Sequence, residues 1–317
     1  MEILLLLLIS FLPGIVLLVY ILYMDRNERE PIGLVLKTLG RGALSTIPAI
    51  LIEMGMEYIH PIFTDSAPKT LETAIVQSFI QIAPAEEFCK LMAMLLFIWK
   101  NPEFNEENDG IVYVSASALG FAIFENIFYV VSGGFGVGVL RSITAMPLHC
   151  FTGVIMGYFV GLAKFSSTQS EAKKKIIIGF TIAVIFHGVY DTFALSGTSL
   201  AALLIPTVIL LWVTGIKFLK KGRELSLERW GDLTSSGHHA PAITQQPNEG
   251  FVTDNFSSEF SSQYSTEFSE DTYKKEEVIE QPQIIKQPTG KGKWKIWISR
   301  PVLGLSIILW IVLIVGI

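Results

Sequence analysis

The sequence predicts an all-α, polytopic membrane helix bundle of about eight transmembrane helices. Two observations lead to this. Half of the residues are hydrophobic and only 17% are charged, with a mean hydropathy of +0.49, which is more apolar than a soluble domain of this length tolerates. The apolar residues also arrive in unbroken runs of about 20, the length a helix needs to cross roughly 30 Å of hydrocarbon. The net charge of -5 carries no basic block, so no nucleic-acid partner is expected.

The first run, 3–23, follows Met1-Glu2 without a basic segment and ends without a small-residue cleavage site, so it reads as a span and not as a signal peptide. Further spans are expected near 34–59, 73–99, 110–132, 137–163, 176–196, 200–219 and 301–317. Cys89 and Cys150 both fall inside spans and read as small buried hydrophobes. Arg26, Arg29, Lys100, Lys164, Lys173, Lys174, Lys175, Lys220, Lys221 and Arg223 fall on one side, with Lys69 and Arg141 almost alone on the other. By the positive-inside rule both termini lie outside.

The chain then divides into a seven-span bundle (1–221), a cytoplasmic linker (222–297) and a C-terminal span (298–317). The linker is rich in Ser, Thr, Gln, Glu and Pro and is expected to be disordered. Within it Phe256, Phe260, Tyr264 and Phe268 recur every four residues. A cytoplasmic partner that folds 251–268 into a helix is the alternative to accidental spacing.

An ionisable side chain in mid-membrane costs at least about 2.5 kcal/mol, so it is a functional candidate by default. The third span carries Glu86, Glu87 and Lys90, with Glu86 and Lys90 one helical turn apart. The fourth carries Phe121, Glu125 and Asn126, the fifth His149, and the sixth His187 and Asp191 at i and i+4. Counted from the span ends, Glu86, Glu125, His149 and His187 lie roughly 10–24 Å deep at 1.5 Å per residue, so four antiparallel helices can gather them. Gly153, Gly157 and Gly161 make a flat stripe for close helix approach. Pro84 and Pro147 favour kinks just before Glu86 and His149.

Each residue also has a bland reading. Lys90 can simply neutralise a carboxylate, although adjacent Glu86 and Glu87 leave one charge over. The histidines and Glu125 can be hydrogen-bonded packing residues, and Asn126 and Asp191 can support them. Glu53 and Glu57, near the outer end of the second span, are expected to reach interfacial water.

Taken in order, Glu86-Glu87-x-x-Lys90, Phe121-x-x-x-Glu125-Asn126, His149 and His187-x-x-x-Asp191 resemble the PrsW family of intramembrane proteases, within a larger group that includes the CAAX prenyl endopeptidases. The likeness runs from about Tyr23 to Asp191, its first loop matched by Asp25 and a single Glu30-Pro31 pair. It implies hydrolysis of peptide bonds in membrane-tethered, regulatory proteins. It also implies Glu86 and Glu87 as required carboxylates, with Glu125, His149 and His187 lining the site.

Two mechanisms remain open from the residues. In one, Glu125, His149 and His187 hold a single divalent metal, zinc by donor type, while Glu86 acts as general base. In the other, Glu86 activates water without metal while a histidine and Asn126 stabilise the oxyanion. A proton- or ion-coupled transporter using the same groups is the rival class, although no internal repeat with matching broken helices supports it. A noncatalytic scaffold would leave the buried charges unexplained.

Overall fold

The computed structural model describes residues 2–25 and 29–230. Among the described residues there are helices and no strands. The expected aromatic stripe and the expected last span fall outside the described residues.

Helix α1 (Glu2–Met24) is the first apolar run, and its Gly14 approaches a later helix so closely that a Cβ would meet Ile123. The expected second span is two helices, α2 (Ile32–Leu44) and α3 (Thr46–Ile59). At the break, Ser45 Oγ and Thr46 Oγ1 donate to the carbonyls of Gly42 and Ala43, each at 2.7 Å, adding local bonds beside the backbone bond from Ser45 N–H to Arg41 O. The third span begins as α4 (Leu71–Val76), passes through a π-helical turn (Gln77–Ile82) and continues as α5 (Ala83–Ile98). The kink expected from Pro84 takes this form, because a residue without an N–H at the start of α5 cannot complete the regular ladder.

Helix α6 (Glu107–Ile143) has one residue with positive φ, Gly134 at 75°. There the chain doubles back. Arg141 Nη2 lies 2.9 Å from Glu125 Oε1, whereas 16 residues of straight helix would separate them by about 24 Å. The fold-back matches the gap expected between 132 and 137. A second break at Thr144 precedes α7 (Ala145–Lys164), which carries Pro147 in its first turn. Helices α8 (Gln169–Leu195) and α9 (Leu204–Trp230) follow, and α9 runs past residue 222.

Helix α6 packs on α7, α1 and α2, and α7 packs in turn on α8 and α9. The Gly153/Gly157/Gly161 stripe faces α6: a Cβ on Gly157 would meet Gly110 O at 2.5 Å, and one on Gly161 would collide with Glu107 O. Cys89 and Cys150 are buried free thiols, as expected.

Among the described residues, five helical stretches are long and apolar enough to cross a membrane: Leu4–Met24, Ile32–Ile59, Glu107–Lys164, Gln169–Leu195 and Ser199–Arg229. The fourth and fifth expected spans are joined in one of these, and the 16-residue α5 is not among them. Its apolarity is nonetheless turned outward. Phe88, Leu96 and Phe97 are about half exposed, while Glu87 and Lys90 on the same helix are fully buried. Such inversion suits a hydrocarbon solvent.

Replacing Gly161 by Ala should cost about 1–3 kcal/mol through overpacking against Glu107. Gly33→Ala, with nothing within 4 Å, should leave stability unchanged or raise it. Thermal unfolding in detergent distinguishes the two.

Candidate functional site

The charged residues of α5 lie on its inner face because Glu86, Glu87 and Lys90 are spaced by three and four residues. Lys90 Nζ donates to Glu86 Oε2, Glu87 Oε1 and His149 Nδ1, each at 3.0 Å, so all three ammonium protons are used. It also lies 4.2 Å from the centre of the Phe121 ring. One cation therefore joins α5 to α7 beside α6.

Each histidine has a carboxylate on one nitrogen. His187 Nδ1 is 2.7 Å from Glu87 Oε1, and His149 Nε2 is 2.9 Å from Glu125 Oε2. Their other nitrogens turn toward Glu86: His187 Nε2 is 3.6 Å from Glu86 Oε2, while His149 Nδ1 shares Lys90 with that oxygen. The two imidazole rings are 5.0 Å apart, edge to face. His187 Nε2 also lies 3.3 Å from Asp191 Oδ2, the i+4 neighbour. Glu125 binds Arg141 through its other oxygen, and Arg141 Nε donates to Asn126 Oδ1 at 3.0 Å.

All eight residues anticipated from the sequence thus fall in one network spanning α5, α6, α7 and α8. The grouping within it is less expected. The buried set whose ligand atoms lie within 4.8 Å of one another is Glu86, His149 and His187. Glu125 instead bridges Arg141 and His149.

Two further residues join that sequence reasoning did not assign. Arg141 stood out only as a rare basic residue on its side, and its pairing with Glu125 depends on the fold-back at Gly134. Glu53, expected at the water interface, is half-buried and within electrostatic reach of Glu86, Glu125 and Asp191. It lies one turn beyond Ala49, which packs with Cys89 and Phe121. That i, i+4 relation to a buried alanine is the signal that would have marked it.

Several polar atoms in the network are buried and lack a hydrogen-bond partner among the described residues: Glu87 Oε2, Glu125 Oε2, Asp191 Oδ2 and Asn126 Nδ2. Glu125 Oε2 is near His149 but without hydrogen-bond alignment. With both histidines neutral, Glu86, Glu87, Glu125 and Asp191 exceed Lys90 and Arg141 by two charges. A divalent cation held by two imidazoles and a carboxylate fits both the donor chemistry and this imbalance.

Removing the cation at the centre tests the electrostatics. Lys90→Met should lower stability by about 3–5 kcal/mol, since it leaves two carboxylates buried without their partner. Adding Glu87→Gln should restore part of the loss in denaturant unfolding.

Comparison with known proteins gives consistent matches. The sequence profile described as PrsW family intramembrane metalloprotease matches residues 30–216. A Protease PrsW of Oceanobacillus iheyensis is 33% identical over 213 residues, covering 67% of this chain and 93% of that one. The Protease PrsW of Bacillus subtilis is 27% identical over 215 residues, covering 68% and 94%. The Geobacillus kaustophilus Protease PrsW is 28% identical over 211 residues, covering 67% and 89%. No solved structure matches the chain.

Proposed function

The chain belongs to the PrsW family of intramembrane metalloproteases, and from that premise we propose that it hydrolyses peptide bonds of membrane-tethered regulatory proteins at the Glu86/His149/His187 cluster. The chain is a peptidase by family. The observation that carries the site assignment is convergence: four helices bring titratable side chains to one buried point, where charge is costly and seldom merely structural. The transporter reading has no comparable support.

The geometry favours Glu86 over Glu125 as the carboxylate ligand. Glu86, with His149 Nδ1 and His187 Nε2, would hold the ion, because their ligand atoms lie within 4.8 Å of one another; on loading, Lys90 would give up its bonds to Glu86 and His149. Zinc suits two imidazoles and a carboxylate. Once bound, such an ion would supply Lewis acidity toward the scissile carbonyl and lower the pKa of attacking water.

The chain's own residues do the rest. Glu87 accepts from His187 Nδ1 and so directs the lone pair of Nε2 toward Glu86, while the Glu125 carboxylate lies beside His149 Nε2 and favours the proton on that nitrogen. Asp191 Oδ2, buried and without a donor, takes the proton released as water attacks. Asn126 Nδ2, a buried donor without an acceptor among the described residues, would be the donor offered to the developing oxyanion; Arg141 holds its amide through Oδ1. If the ion is absent, Glu86 itself activates water.

We assign both termini to the outer side and 222–297 to the cytoplasm, from the distribution of Lys and Arg. The bundle 1–221 carries the activity under this assignment.

Co-expression with tagged single-pass membrane proteins tests the reading. Glu86→Gln should lower cleavage by about 10²–10⁴-fold, as loss of an acid–base or ligand group does. A panel covering the native membrane proteome that shows no Glu86-dependent cleavage, while liposomes containing the protein move protons, would favour transport. Purified protein should also hold one zinc ion per chain, lost in both His149→Ala and His187→Ala, and activity that survives exhaustive chelation would exclude it.

A further inference from the structure

A second set of carboxyl groups lies well away from this site. Asp25 follows α1, Glu30 precedes α2, Glu106 caps α6 and Asp109 lies in its first turn. Along α6, Asp109 and Glu125 are 16 residues apart, about 24 Å of helix. All four acidic residues are buried, Asp109 completely. Oxygens of Asp25, Glu106 and Asp109 lie within 4.8 Å of one another, and the Glu30 carboxyl is within electrostatic reach of the Asp109 carboxyl.

Local structure explains part of this gathering. Glu106 and Asp109 form a capping box, in which Asp109 Oδ2 accepts the N–H of Asn105 and of Glu106, each at 2.8 Å. Capping occupies one oxygen of each residue and leaves Asp25 and Glu30 unexplained. Asn108 Nδ2 donates to Asp25 Oδ1 at 2.5 Å, and Tyr113 donates to Glu30 Oε2. What remains is oxygen of a single kind. Asp25 Oδ2, Asp109 Oδ1 and Asn108 Oδ1 belong to side chains more than nine-tenths buried, and none has a hydrogen-bond donor.

Facing carboxyl oxygens at such distances are both acceptors, so a proton or a cation must lie between them. Lys164 is within electrostatic reach of Asp109, but its ammonium is bonded to the Trp99 carbonyl. A protonated pair satisfies Glu30 and Asp109 alone. The unpaired Asp25 Oδ2, on a separate segment, asks for a ligand that meets several oxygens at once. Oxygen-only sets with several carboxylates select hard divalent ions over zinc.

We propose that Asp25, Glu106 and Asp109 form a binding site for a hard divalent cation of the Mg²⁺ or Ca²⁺ class, backed by Glu30 and distinct from the Glu86/His149/His187 cluster. The ion clamps the end of α1 to the start of α6. Helix α9 is fastened to the same place, where Ser226 Oγ accepts the Asn108 N–H at 3.0 Å and Arg229 pairs with Glu107. Its occupancy therefore sets how firmly three helices are held at this end of the bundle.

The test uses the full-length protein carrying His149→Ala and His187→Ala, stripped of metal, so that the outcome does not depend on the protease reading. Electron paramagnetic resonance titration with Mn²⁺ should find one saturable site per chain, displaced by Mg²⁺ or Ca²⁺. At about 100-fold excess over Kd, either ion should raise the unfolding temperature by about 5–10 °C. Asp25→Asn, which retains an oxygen for Asn108, should weaken Mn²⁺ binding at least about tenfold, as loss of one charged ligand does. Glu106→Gln, which still caps Asp109, should do the same and serves if Asp25→Asn fails to fold. Absence of a saturable Mn²⁺ site in the parent protein overturns the proposal, as does binding unchanged in the folded variants.

Discussion

The Lys90 ammonium, fully buried and shared among Glu86, Glu87 and His149, is the contact on which the arrangement depends. Burying any one of these charges alone would cost several kcal/mol. Together they are tolerable, because the lysine has three donors and three acceptors to receive them. Its geometry fixes α5 against α7, and the two histidine–carboxylate pairs then fix α6 and α8. The same contact leaves an excess of negative charge. In a lipid-facing bundle that excess has nowhere to go except toward a bound cation or protons, and this links the packing of the helices to their chemistry.

Much of this was legible in the sequence because hydrocarbon imposes simple rules. Apolar length marked the spans, and the cost of intramembrane charge singled out Glu86, Glu87, Glu125, His149 and His187 without any structure. The glycine stripe on α7 also announced a close neighbour, which is the start of α6. The i, i+4 spacings anticipated the contacts of Lys90 with Glu86 and of His187 with Asp191, whereas the second bond from Lys90 to Glu87 was not anticipated.

What was hidden depended on contacts remote in the chain. Arg141 finds Glu125 because Gly134 adopts a positive φ and reverses the backbone, and neither fact is local to either residue. Glu125 is thus engaged by Arg141, and the carboxylate whose oxygen lies within 4.8 Å of both imidazole donors is that of Glu86. Glu53 was assigned to water by its nearness to a helix end, but it is half-buried on α3 within electrostatic reach of the cluster. The carboxylates at the start of α6 escaped notice for the opposite reason: in a hydrophilic loop, acidic residues are ordinarily solvated, and their burial becomes visible only when α1, α2 and α9 close around them.

X-ray absorption spectroscopy of the metal-loaded, purified protein tests the central claim most directly. The account predicts a first shell of nitrogen and oxygen alone, with two imidazoles near 2.0–2.1 Å if the ion is zinc, and loss of imidazole scattering when His149 or His187 is replaced. A sulfur-containing shell, or a spectrum indifferent to both histidines, would contradict the claim that α5, α7 and α8 converge on a common ion.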